Sequence, residues 1–171
     1  MGKNKFVYIS KFCLIIFILG IILFTTGCKK EVKSYSDMER IIYKDILTQK
    51  GDKNNKYFVI IYSTTCTYCE DLEDTVVKYQ NFVLANKFLG YNYPPVYVLN
   101  INATDNKDIK KADNEYKNFI GTKNYEDVKF ATAPAFIEVT DGEVTELISS
   151  KVTNYPVTEV ENYLNKIMNE E

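Results

Sequence analysis

The sequence predicts an α/β domain with a central mixed β-sheet of about four strands flanked by helices. Three observations carry that expectation. The runs Tyr57-Phe58-Val59-Ile60-Ile61-Tyr62 and Val96 to Ile101 are continuous, apolar and rich in β-branched and aromatic residues, as strands covered on both faces are. Around them, apolar residues recur at helical spacing. Further on, Asp141-Gly142 joins two more strand-like runs and is the strongest short-range hairpin signal in the chain.

Taken in order, Ser36 with Glu39 reads as a capping box opening a first helix, with Met38, Ile41, Ile42 and Ile46 on one face. Gly51 to Lys56 is a polar break before the first strand, Tyr57 to Tyr62. After Cys66, the stripe Leu72, Val76, Tyr79 and Val83 predicts a long helix ending near Gly90. Pro94-Pro95 excludes helix and introduces the second strand. Residues from about Asp105 to Phe119 read as a polar surface helix that turns Ile109, Ala112, Tyr116 and Phe119 inward and stops at Gly121. Ala135 to Thr140 is the third strand, and Val144 to Ser149 the fourth. Thr158 with Glu161 caps a last helix with Val160, Tyr163, Leu164 and Ile167 inward. The order is α-β-α-β-α-β-β-α: a parallel pair passing into an antiparallel hairpin.

The N-terminus points to export. Lys3, Lys5 and Lys11 make a basic start without acids, and Phe12 to Phe24 is almost wholly apolar. About 13 apolar residues match a secretory core and fall short of the roughly 20 of a spanning helix. Thr26, Gly27 and Cys28 resemble the lipobox of bacterial lipoproteins, in which the cysteine is lipidated; Thr25 stands where that pattern usually has an aliphatic residue. The expected division is therefore a signal at 1–27, a tether at 28–35 and one domain at 36–171. A simple signal peptide or a retained anchor is the alternative. Either way the domain is expected to face an extracytoplasmic space, and lipid on Cys28 or a retained anchor would hold it on the outer face of a bacterial cell membrane. Without residues 1–27 and their three lysines, 18 Lys+Arg stand against 23 Asp+Glu, a net charge of −5. That balance argues against nucleic-acid binding, which wants basic surface.

Cys66-Thr67-Tyr68-Cys69 carries the chemistry. The pair falls between a strand and a helix, where unpaired backbone N–H groups and the helix dipole favour an anionic sulfur. A thiolate is the nucleophile of disulfide exchange. Two duller readings compete. A structural zinc site wants four Cys or His ligands, but the chain has no histidine, and Cys13 and Cys28 lie in or just after the N-terminal run. Metal handling through Cys66 and Cys69 would need ligands from elsewhere. A purely structural bridge across so short a loop contributes little loop-closure entropy.

Together with Ala133-Pro134 and the run Ala135 to Val144 behind it, the pair resembles the thioredoxin family over about Ser36 to Met168. The resemblance implies a thioredoxin-like fold, with a cis-proline at Pro134 facing the C-x-x-C across a groove. Ala133 would offer its backbone to an extended substrate. It further implies a thiol–disulfide oxidoreductase in which Cys66 attacks and Cys69 resolves. The redox-active disulfide itself would serve, with no cofactor and no metal. Its partners would be protein thiol or disulfide clients and a redox partner, the protein itself acting as a monomer. The family's buried Asp and its neighbouring Lys fall at Ile60 and Val98, both apolar here. Glu70, Asp71, Glu73 and Asp74 crowd the following turns; Glu70, four on from Cys66, would disfavour a thiolate there. The stretch Thr65 to Cys69 also looks similar to thioredoxin-like bacteriocin-transport accessories, which leaves a non-catalytic accessory as the alternative function.

Overall fold

Strand β1 (Lys56–Tyr62) is central because every one of its inner residues is apolar and fully buried, which requires cover on both faces and both edges. β2 (Val96–Asn100) pairs parallel with it, Ile60 opposite Val98. On the other edge, β3 (Ala135–Thr140) runs antiparallel, and β4 (Glu143–Ser149) returns antiparallel to β3. The sheet order is β2-β1-β3-β4. The computed structural model describes residues 31–106, 108–109, 119–130, 132–149 and 153–169.

Alternation along β1 divides the core. Phe58 and Ile60 face a cluster made with Leu72, Val76, Tyr79 and Val83 of helix α1 (Thr67–Phe88) and Val160 and Leu164 of helix α2 (Pro156–Asn169). Tyr57, Val59 and Ile61 face the other way, into a cluster with Ile41, Ile46, Phe119, Val128 and Phe130. Both α-helices thus cover one face. The described residues over the other face are extended chain and 3-10 turns.

The turns follow their chemistry. Asp141 and Gly142 both have positive φ, 51° and 74°, the geometry of a two-residue hairpin that matches strand twist. α1 ends as expected: Gly90 (φ 89°) donates to the Lys87 carbonyl at 3.2 Å, and Tyr91 to that of Asn86 at 3.0 Å, closing a Schellman motif.

Three expectations are corrected. The segment from Ser36 to Ile46 is not a helix. Two 3-10 turns, Tyr35–Asp37 and Tyr43–Asp45, flank an extended stretch. There Ile41 N–H donates to the Val98 carbonyl and Val98 N–H to that of Glu39, both at 3.0 Å. Pairing there satisfies the Val98 N–H and carbonyl on the open edge of β2, which a helix would leave unpaired, and Met38, Ile41 and Ile46 still bury. Secondly, packing starts before residue 36. Val32 exchanges two hydrogen bonds with the Asn81 amide, at 3.0 and 2.8 Å, and Val32 and Tyr35 join the core. Lastly, α2 begins at Pro156 rather than after Thr158, because a proline at the first helical position loses no hydrogen bond. The helix expected over Asp105–Phe119 falls largely outside the described residues, as does the run Phe12 to Phe24. Among the described residues no helix is long and apolar enough to cross a membrane.

Candidate active site

The site forms where β1 runs out and α1 begins. The linking turn Ser63–Thr65 is tied to the segment after β2 by one side chain: Asn102 Oδ1 accepts from Ser63 Oγ at 2.7 Å and from Thr64 N–H at 3.0 Å. This fixes the approach to Cys66, which is extended (φ −110°, ψ 110°) and is the N-cap of α1. Its Sγ accepts from the Cys69 backbone N–H at 3.2 Å. A sulfur so placed meets both a backbone donor, shared with the Cys66 carbonyl at 3.0 Å, and the positive end of the helix dipole, which stabilise negative charge on it.

Cys66 and Cys69 are joined as a disulfide, with Cα atoms 5.2 Å apart. Cys66 is half-buried, whereas Cys69 is 2% exposed beneath the first turn. The asymmetry gives one sulfur access to a partner and keeps the other from it. Across from them, the Ala133–Pro134 peptide is cis, and the Ala133 carbonyl oxygen lies 3.4 Å from Cys66 Sγ. Cys66 and Ala133 share an open groove of about 590 Å³, whose further walls include Ile101, Ile109, Phe130 and Thr132. The structure therefore brings Cys66, Cys69, Ala133 and Pro134 to one place. Cys28 lies outside the described residues. No cluster of three potential metal ligands occurs among the described residues.

Electrostatically, the sheet beneath the pair is blank. Ile60 and Val98 are direct neighbours in register and fully buried, so no strand acid or lysine stands there. A buried acid exists elsewhere: Glu138, opposite Phe58 and toward the start of β1, takes Lys56 Nζ at 3.0 Å and the hydroxyls of Thr145 and Tyr163. Burial raises its carboxyl, but these donors together outweigh burial and hold it below the usual carboxylate range. It fastens β3 to β1, β4 and α2, at a distance from the sulfurs.

Three residues at the site escaped sequence reasoning. Asn102 follows the strand-like run Val96 to Ile101, and nothing in its neighbourhood signalled a tie to Ser63. Tyr35 fell in the expected tether. Glu73 was visible as one of four acids, but only its spacing of four from Cys69 separated it from Glu70. Together with Glu70 and Tyr62, Tyr35 and Glu73 line a second crevice against Cys69.

No family model matches the chain, and no curated protein matches it significantly. Among solved structures, mitochondrial thioredoxin 3 from Saccharomyces cerevisiae in its oxidised form is similar at 14% identity and a TM-score of 0.47, over 77% of this chain and 97% of that one. A chain from a structural study of thiol resolution in yeast mitochondrial 1-Cys peroxiredoxin by glutathione and thioredoxin systems gives the same identity and TM-score, over 78% of this chain and 99% of that one. The strand order β2-β1-β3-β4, a helix opening at the first cysteine of a C-x-x-C pair and a cis-proline leading into β3 make this a thioredoxin-like fold.

Proposed function

We propose that this protein is a thiol–disulfide oxidoreductase acting on protein disulfides outside the cytoplasm. One observation carries the reading: a half-exposed sulfur at a helix N-terminus, bonded to a buried one a turn on, faces an open groove beside the Ala133 backbone. In the reducing direction, Cys66 thiolate attacks a client disulfide, forming a mixed disulfide and releasing one client thiol. Cys69 then attacks Cys66 Sγ, closing the pair and releasing the second thiol. Two electrons pass to the client, and a redox partner returns them. The reverse sequence oxidises a client. An extended client would pair with the N–H and C=O of Ala133, held by Pro134, which places its sulfur over Cys66.

Residues 1–27 would direct export, and lipid on Cys28 or a retained anchor would hold the domain at the outer membrane face. The basic start, the apolar run of about 13 residues and the small residues before Cys28 support this.

The test is client capture. The Cys69→Ser chain should accumulate mixed disulfides with exported proteins, visible on non-reducing gels and released by dithiothreitol. Cys66→Ser should accumulate none and should lose disulfide reductase turnover. Turnover surviving the loss of Cys66 would contradict the reading. A cellular phenotype that survives replacement of both cysteines would favour a non-catalytic accessory.

A further inference from the structure

Resolution of a mixed disulfide requires Cys69 to give up its proton where solvent hardly reaches. Burial disfavours charge, so a buried thiol needs a nearby acceptor at the moment of attack. The sheet offers none, because Ile60 and Val98 fill the space under α1.

Carboxylates stand on the other side of the pair. A crevice of about 260 Å³, which shares only Ser63 with the client groove, is lined by Cys69, Glu70, Glu73, Tyr35 and Tyr62. Glu73 is four residues after Cys69 and so lies one turn along the same face of α1. Its Oε1 accepts the Tyr35 backbone N–H, which pins the carboxylate at the crevice. Its Oε2 makes no hydrogen bond among the described residues. The Tyr35 hydroxyl is buried and has no partner there either, although a buried hydroxyl ordinarily finds one. The crevice has room for several water molecules at roughly 30 Å³ each. Tyr35 itself is not the acceptor. Burial first, then Glu73 and Tyr62, push its hydroxyl above the ordinary tyrosine range, so it stays protonated. Glu70 lines the same crevice but is exposed and makes no such anchoring contact.

We propose that Glu73, through water held in the crevice that it shares with Cys69, takes the proton of Cys69 during resolution. The proposal rests on the exchange reading above. The Cys69 S–H proton passes to the Glu73 carboxylate, and the thiolate attacks Cys66 Sγ. The Cys66–client S–S bond breaks, and the client leaves as thiolate. The proton on Glu73 then returns to the departing thiolate or to solvent, restoring the carboxylate. In the reverse direction Glu73 hands the proton to Cys69 as the pair opens.

The experiment separates the two steps with glutathione disulfide as probe. The reduced full-length chain is mixed with it and quenched in acid at intervals. Mass mapping of the Cys66–Cys69 segment then follows glutathionylated Cys66 and its conversion to the closed pair. Glu73→Gln keeps an oxygen for the Tyr35 N–H. It should leave formation of the Cys66 adduct within about twofold and slow its conversion about tenfold or more at neutral pH. The pH profile of conversion should also move to higher pH. Glu70→Gln, which removes the charge four residues on from Cys66, should not slow conversion, and Glu73→Asp should recover most of the rate. Conversion slowed by less than that in Glu73→Gln, or an unmoved pH profile, overturns the assignment. The exchange reading fails separately, if the unmodified chain never forms the adduct or never converts it to the Cys66–Cys69 bond.

Discussion

A single side chain, Asn102, holds the turn that aims Cys66. Its two bonds to Ser63 and Thr64 join the end of the parallel pair to the entrance of α1. Asn102→Ala should cost about 0.5–1.5 kcal/mol of stability by urea denaturation, as a partly solvated hydrogen-bonding site does. It should also slow the first step of exchange, leaving the second unchanged. A variant with unaltered adduct formation would show that the turn is set by its backbone alone. Glu138 is the second decisive residue. Its folded carboxyl sits below its unfolded value, near 4.3 for a free glutamate, so the unfolded chain binds the proton first as pH falls. The stability it contributes is complete above that unfolded value and is lost as pH drops through the folded one. Thermal midpoints between about pH 5 and about pH 2 should therefore fall less steeply in Glu138→Gln than in the parent. Equal slopes would remove Glu138 from the account of acid sensitivity.

At the scale of elements, the sequence was legible wherever one element satisfies its own rule. β1, α1, β3 and the Asp141-Gly142 hairpin each carry a complete local signal: a continuous apolar run, a stripe every third or fourth residue, or a turn pair with positive φ. The first segment failed because its apolar residues fit two outcomes. Met38, Ile41 and Ile46 suit a helical face, yet they bury equally well in a chain that pairs with the edge of β2, and only the tertiary partner decides. The same holds at the site. Cys66 and Cys69 were readable from their spacing and their place between strand and helix, and Ala133-Pro134 through the resemblance to thioredoxins, whereas Tyr35 and Glu73 meet through a contact 38 residues apart. A core role for the irregular segment has its own check. Ile46 is completely buried, so Ile46→Ala should destabilise by about 2–5 kcal/mol in chemical denaturation. A loss under about 1 kcal/mol would mean that the segment is a detachable strap.

Across the whole molecule, tyrosines do much of the packing on both sides of the sheet. Tyr57, Tyr79 and Tyr97 are buried with their hydroxyls donating to backbone carbonyls of Ile46, Pro94 and Lys50. Burial raises all three, Tyr57 to about 12. A raised folded value means stability that is complete below the unfolded value, about 10, and is lost as pH rises beyond it. Stability should thus decline in alkali above about pH 10, with a late fraction of the tyrosinate absorbance, that of the buried tyrosines, rising together with loss of circular dichroism. Ionisation of these tyrosines with the fold intact would contradict that coupling. Function rests on the same whole. The sheet carries the two cysteines at the end of β1 and the proline at the start of β3, and places a groove between them.

The most direct measurement is the equilibrium between the reduced pair and the closed Cys66–Cys69 bond in glutathione buffers of graded potential, read by mass mapping of that segment. A reversible two-electron transition should appear within the span of about −270 to about −120 mV that such pairs cover. A pair that stays reduced across the series, or that leaves Cys66 and Cys69 permanently bonded to glutathione rather than to each other, would contradict it.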